Sequence, residues 1–222
     1  PPILTSRPAA TSTCRPGSSR SRSLPGRPTT IPRPGSRSPR LPGRLLLHRH
    51  PRRGDDLLAP EKGVTTPNSH YARSELRETN RDGSPANWPL SGAHRLSATL
   101  RVVSVTSNVC VGQIHLGTGG SSTKPLLELY YHANGDIVLG TENSPSGGQT
   151  PHAVGHVPVG RTWSYTIAVS GGDTVDLTVD GSTTHYSIPS SFKQYKQYFK
   201  AGSYNQSSSD STTKEPGSRS TG

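Results

Sequence analysis

Three short stretches of this sequence carry side chains able to do chemistry where a sheet surface would ordinarily be only solvated. In Tyr71-Ala72-Arg73-Ser74-Glu75-Leu76-Arg77-Glu78, the side chains of Arg73, Glu75 and Arg77 fall on one face of a strand, because strand side chains alternate. In Val111-Gly112-Gln113-Ile114-His115, Gln113 and His115 share a face while Ile114 points the other way. In Tyr198-Phe199-Lys200-Ala201-Gly202-Ser203-Tyr204-Asn205-Gln206, Tyr198, Lys200, Tyr204 and Gln206 share a face, and Gly202 leaves room for a close approach to the sheet. Gathered in one groove, these residues supply two guanidiniums, an ammonium, an imidazole, two phenols, two amides and a carboxylate. Arginine grips carboxylates bidentately, and tyrosine rings lie against pyranose faces. The groove therefore suits a polyanionic sugar chain. His115 and Tyr204 add what binding alone does not require, a base and an acid. A solvated outer face is the ordinary reading of any one such strand in an antiparallel sheet; three together weigh against it.

The elements that must position these strands are β throughout. Leu96, Ala98, Leu100 and Val102 alternate with Ser97, Thr99 and Arg101, the pattern of a strand with one buried face. Trp163, Tyr165, Ile167 and Val169 repeat it. The turn Ser170-Gly171-Gly172-Asp173 then leads into Val175, Leu177 and Val179. Asp180-Gly181 signals a hairpin, with Thr184 to Ile188 as the return strand. Nothing between Lys62 and Gln206 has the period of a long amphipathic helix. Short strands with Gly-rich turns predict an antiparallel sandwich.

Charge divides the chain in two. Residues 1–54 hold 12 Arg, no Lys and no acidic residue, while the whole chain carries a formal +11, so the remainder is close to neutral. The basic excess thus says little about partners of the folded part. No aromatic residue precedes Tyr71, and Arg, Pro, Ser and Gly dominate the first 58 residues, a composition that reads as disordered. As a nucleic-acid-binding tail it lacks Lys and interleaved aromatics. Cys14 lies in this segment and Cys110 in the β region; a bridge between them is possible but makes no disulfide framework. His48 and His50, like His152 and His156, have no Cys or acidic companions at metal-ligand spacing. No apolar run reaches the length of a membrane span, and the chain starts without the pattern of a secretion signal.

Arg73-Ser74-Glu75-Leu76-Arg77, Gln113-Ile114-His115 and Tyr198 to Gln206 resemble, in order, the three signature strands of the alginate lyases of polysaccharide lyase family 7. The resemblance spans roughly residues 59–210. It implies an all-β jelly roll with a concave sheet as the substrate cleft, alginate as the substrate, β-elimination as the reaction, and neither cofactor nor obligatory metal. Arg73, Gln113, His115 and Tyr204 match the catalytic set. Glu75, Arg77, Lys200 and Gln206 match residues lining the cleft, where Tyr198 also belongs on its face. Ile114 resembles members that favour guluronate-containing stretches. The resemblance further implies a secreted, extracellular protein, since so large a polymer is degraded outside the cell; a monomer with no nucleic-acid or membrane partner is expected.

The residue types fit that reaction. Removing the C5 proton of a uronate piles negative charge beside its carboxylate, which Arg73 and the Gln113 amide can stabilise. Neutral His115 suits the base near pH 7. Tyr204 can protonate the leaving O4, or serve as base if nearby cations lower its pKa; which of the two takes the proton can depend on the C5 epimer. No hydrolase-type pair of carboxylates is evident, because Glu75 is flanked by two Arg. The alternative to turnover is a non-catalytic acidic-polysaccharide-binding jelly roll.

The ends depart from the family pattern. An aromatic β region before Arg73 and a closing strand after Gln206 are both missing, and residues 211–222 read as an aberrant or disordered tail. Codons from Lys214 onward, and from Arg44 to Leu58, admit a shifted frame that restores strand-like text at each end. The ends are accordingly expected to be out of frame, with incomplete terminal strands and exposed sheet edges. An unbroken reading frame on resequencing would reject that origin.

Overall fold

The computed structural model describes residues 55–65, 69–117, 124–171 and 173–208, together with the backbone of 3–8. Thirteen strands form two antiparallel sheets among these residues. The outer sheet is built on β5 (Ala93–Ser104) and β10 (Thr162–Ser170), which pair from Thr162↔Arg101 to Ser170↔Ala93. Its alternation is the one expected: Trp163, Tyr165, Ile167 and Val169 are buried and their neighbours point outward. β11 (Thr174–Val179) continues the sheet and returns as β12 (Ser182–Ser187). Between them Asp180 (φ 44°) and Gly181 (φ 89°) both hold positive φ, the requirement of a type I′ turn that matches strand twist.

On the other side of β5 lie β1 (Ile3–Pro8) and β2 (Asp55–Leu58), giving the order β12-β11-β10-β5-β1-β2. Both fall within the 1–58 segment that composition reads as structureless. The reason is visible at β2: Leu57 is 1% exposed and Ala59 fully buried, so two apolar residues suffice to seat the segment on the core. The Ala59 carbonyl also accepts from Asn205 Nδ2. The rest of 1–54, including Cys14, His48 and His50, and the tail 211–222 lie outside the described residues.

The inner sheet runs β3 (Arg73–Arg77), β13 (Lys196–Asn205), β6 (Asn108–Leu116), β7 (Pro125–His132), β8 (Asp136–Glu142) and β9 (Gln149–His156), with β4 (Trp88–Pro89) also on β13. The three signature stretches are therefore adjacent strands, β3-β13-β6. Between the sheets lie Ile114, Leu127, Leu129, Ile137, Leu139 and Ile167, with Tyr131, Trp163 and Tyr165 forming an aromatic row. The one helical element among the described residues is a 3-10 turn, Ser190–Phe192, and no described helix is long and apolar enough to cross a membrane.

One irregularity aims the site. The register of β6 shifts between Cys110 and Gly112 against both its neighbours. There the Tyr165 hydroxyl, from the opposite sheet, donates to the Val111 carbonyl. A Cβ on Gly112 would lie 2.6 Å from that hydroxyl, so only glycine admits the contact. The shift fixes which face Gln113 and His115 present, as such irregularities next to active sites do.

Candidate active site

Strand pairing brings the predicted residues together row by row. Lys200 stands opposite Arg77 on β3 and opposite Gln113 on β6, and Tyr204 stands opposite Arg73. Tyr198 stands opposite His115, with ring centroids 5.3 Å apart. Gly202 stands opposite Glu75, and a Cβ there would lie 2.4 Å from the Ser74 carbonyl oxygen. The room predicted at Gly202 is thus taken by strand β3 rather than by an incoming ligand. Gln206 lies one residue past β13 and donates its amide to the Tyr204 carbonyl.

Glu75 is the hub. Its side chain is 5% exposed, and it accepts from Arg73 Nη1 at 3.3 Å, Lys200 Nζ at 3.0 Å and Gln113 Nε2 at 2.6 Å. Predicted as a cleft-lining residue, its carboxylate is engaged from within by three of the predicted site residues. Gln113 is 2% exposed, and one of its two amide hydrogens is spent on Glu75. Two guanidiniums cover two phenol rings: Arg73 Cζ lies 3.9 Å from the Tyr204 centroid and Arg77 Cζ 3.4 Å from that of Tyr198. Such stacks hold the cation in place while leaving its charge exposed to an anion. Burial raises the Tyr198 phenol pKa, with the Arg77 charge opposing.

His115 is held in one tautomer. Its Nδ1 lies 2.9 Å from the Leu116 carbonyl oxygen. A carbonyl only accepts, so Nδ1 carries the proton and Nε2 keeps its lone pair. Burial, then the charges of Lys200, Arg73 and Arg77, lower its pKa to about 4, against the opposing Leu116 bond. The imidazole is neutral throughout the physiological range.

Sequence reasoning missed two groups. Ser69 Oγ, in a residue 9% exposed, accepts from Arg73 Nη2 at 2.7 Å and lies 3.4 Å from Tyr204 Oη. The second group extends the sheet face beyond Gln113: Glu128 stands opposite it on β7, and Gly140 opposite Glu128 on β8. Tyr130 Oη donates to Glu128, and Gln149 Nε2 donates to both Glu128 and Glu142. The bare Gly140 makes room for the Gln149 amide, which a Cβ would meet at 2.2 Å. The signal was available: in β7, Glu128 and Tyr130 alternate with the buried Leu127, Leu129 and Tyr131, as polar and apolar residues do in the signature strands. Burial raises the pKa of both carboxyls, opposed at Glu128 by the Tyr130 and Gln149 bonds and at Glu142 by Lys124 and the Gln149 bond.

Among the described residues no three His, Cys, Asp or Glu gather as metal ligands. His152 contacts Thr141 and His156 contacts Asp136. Cys110 is a buried free thiol whose pKa burial raises.

Comparison with known proteins shows the family and the fold. The family model described as alginate lyase matches residues 52–221. An alginate lyase of Klebsiella pneumoniae is 31% identical over 211 residues, covering 67% of each chain. The crystal structure of a Pseudomonas aeruginosa alginate lyase superposes with a TM-score of 0.66 at 32% identity, over 71% of this chain and 76% of that one. A tyrosine-to-phenylalanine variant of the family 7 alginate lyase A1-II′, in complex with a product GGG, gives 0.64 at 27% identity, over 71% and 73%. The two sheets are those of a jelly roll with these relatives, and the chain belongs to the alginate lyases of polysaccharide lyase family 7.

Proposed function

We propose that the inner-sheet cleft cleaves alginate by β-elimination with His115 as base and Tyr204 as acid, preferring guluronate-containing stretches and releasing unsaturated uronate oligosaccharides. The observation that carries this is the tautomer of His115: Nδ1 is tied to the Leu116 carbonyl, so a basic Nε2 remains beside Arg73, Arg77 and Lys200. Nε2 takes the C5 proton. The C5–H electrons delocalise into the carboxylate, whose growing charge Arg73 and the second Gln113 amide hydrogen stabilise. Those electrons then form the C4=C5 double bond as the C4–O4 bond breaks, and O4 takes the Tyr204 phenolic proton. Solvent returns a proton from His115 to Tyr204. Arg77, Lys200, Tyr198 and Gln206 bind neighbouring sugars, and Glu75 contributes by holding Arg73, Lys200 and Gln113 in place. No step calls for a cofactor.

The guluronate preference draws support from Ile114 and from the GGG product bound by the relative A1-II′. The size of the proposed substrate supports a secreted, extracellular protein, and we read it as a monomer. The nearly neutral charge after residue 54 speaks against nucleic-acid and membrane partners. The test is absorbance of the unsaturated uronate while the full chain is incubated with guluronate-rich and mannuronate-rich alginate. A rise is expected, faster on the former and abolished by Tyr204→Phe and His115→Ala. Folded protein that binds alginate without any rise would favour the non-catalytic module instead.

A further inference from the structure

Tyr204 must end its half of the reaction as a phenolate, and nothing in the signature strands says what receives that charge at the oxygen itself. Arg73 lies over the ring, 3.9 Å from its centroid, not at the phenolic oxygen. The atom beside the oxygen belongs to Ser69, outside all three signature strands: Ser69 Oγ is 3.4 Å from Tyr204 Oη.

The hydroxyl of Ser69 has one hydrogen and several claims on it. It donates to the Tyr71 carbonyl at 3.0 Å, and it accepts from Arg73 Nη2 at 2.7 Å and from the Tyr71 amide at 3.4 Å. While its hydrogen is on the Tyr71 carbonyl, its contact with Tyr204 can only be one in which the phenol donates. A hydroxyl hydrogen rotates freely about its C–O bond, so the same atom can turn and donate to Tyr204 Oη without moving the backbone. The Arg73 bond holds the oxygen in place in either state.

Resting on the assignment of Tyr204 as the acid, we infer that Ser69 is a positioning residue for its phenol. Before substrate binds, the phenol donates to the Ser69 lone pair that Arg73 leaves, in place of the distant Tyr71 amide, and with substrate bound it turns its one hydrogen to O4. As the Tyr204 O–H bond breaks and its proton passes to the departing O4, the Ser69 hydroxyl swings from the Tyr71 carbonyl and donates to the phenolate. Ser69 keeps its own proton throughout, so the step adds no proton transfer. A hydrogen bond to an ionised oxygen is about twice as strong as one between neutral groups, so the contact is worth more to the phenolate than to the phenol. That difference speeds the step. The titratable and charged groups facing the phenol are Arg73 and Tyr71 on the β3 side, Glu75 through Arg73, and Cys110 opposite on β6.

The experiment is the pH dependence of turnover for the full chain carrying Ser69→Ala, Ser69→Cys or Ser69→Thr, on guluronate-rich alginate. Ser69→Ala is expected to lower kcat roughly ten- to a hundredfold, the range for a hydrogen bond to a charged group, with KM within about twofold. The alkaline limb moves to higher pH, because the phenolate has lost its donor. Ser69→Cys keeps the volume with a weaker donor and moves the limb the same way, which covers the case in which the alanine variant fails to fold. Ser69→Thr keeps the hydroxyl and returns both kcat and limb. An inactive Tyr204→Phe beside a folded Ser69→Ala or Ser69→Cys whose limb has not moved would overturn the role of Ser69 alone. Equal turnover by wild type and Tyr204→Phe would overturn the acid assignment, and the role of Ser69 with it.

Discussion

The two halves of the inner sheet treat buried carboxyls in opposite ways. On the β3-β13-β6 side, Glu75 is surrounded by donors: a guanidinium, an ammonium and an amide all point at its two oxygens. On the β7-β8-β9 side, Glu128 and Glu142 share one amide, that of Gln149, and Glu142 Oε2 is buried with no hydrogen-bond partner. Burial raises the pKa of both, and for Glu142 the charge of Glu128 adds to it. A carboxyl ringed by cations organises them, whereas one whose burial outweighs the nearby positive charge is pushed toward its neutral form. A polyuronate lying across the strands would meet an organised set of cations up to β6 and acid groups beyond it. The seam between these regimes is the pairing of Gln113 with Glu128.

The largest effect should come from breaking the first half at its hub. Glu75→Ala leaves Arg73, Lys200 and Gln113 without their common acceptor, while their own side chains remain. Misplacing catalytic groups by an ångström costs about a hundredfold, so turnover should fall by at least that order, with Glu75→Gln less affected because it retains an acceptor oxygen. Uronate absorbance and a thermal melt on the same preparations separate lost activity from lost fold. Wild-type turnover in a folded Glu75→Ala would mean that the cations hold themselves in place.

Two of these groups, Lys200 and Arg73, together with Arg77, set the state of His115 after burial. Because its folded-state pKa is lowered to about 4, the neutral base persists well below the ordinary histidine range. The acid limb of kcat/KM, which reports the free enzyme, should therefore fall near pH 4 and not near 6.5. In the stability profile, protonation is opposed by the fold, so a cost develops as pH drops through 6.5 toward the folded value. A limb at pH 6.5 would show that His115 is not desolvated by its neighbours.

These predictions differ in how far the sequence could anticipate them. The cationic half was readable because Arg73, Glu75 and Arg77 break the apolar-in, polar-out alternation within eight residues, and resemblance supplied their roles. That Glu75 is bound by its neighbours was not readable, since Lys200 and Gln113 reach it from strands 125 and 38 residues away. Ser69 is further removed: its approach to Tyr204 spans 135 residues and depends on the pairing of Tyr204 with Arg73. β1 carries no periodicity to read, because its place is defined by backbone pairing with Leu58 through Asp55 and with β5. The type I′ turn at Asp180-Gly181 was readable outright, since its φ requirement is written in the residue types.

Glu128→Gln tests the second half with a smaller expected effect. A carboxyl whose folded pKa is raised contributes stability that is fully present below its unfolded value and is lost as pH rises through the folded one. The glutamine variant should therefore melt higher than wild type at pH 7 to 8, with the gain shrinking toward pH 4. Removing negative charge beside a polyanion should also lower KM a few-fold at low salt, an advantage that fades as salt screens it. A variant that melts lower at every pH would mean that the Tyr130 and Gln149 bonds to the carboxylate outweigh its burial.

The smallest effect is expected at the seam. Ile114 lies between Gln113 and His115 in sequence but is fully buried, and it faces Leu127 across β6 and β7. It touches the core, not the cleft, so any bearing on uronate preference passes through the set of the two residues flanking it. Ile114→Val removes one methylene, which costs about 0.5–1.5 kcal/mol in a packed core and should lower the melting temperature by a few degrees. With the seam loosened, the ratio of rates on guluronate-rich and mannuronate-rich alginate should shift toward the latter by no more than about threefold, under 1 kcal/mol in barrier height. A melt that drops with an unchanged ratio would detach the preference from this position and return it to the residues that face the sugar, with Tyr198 and Arg77 the first to exchange.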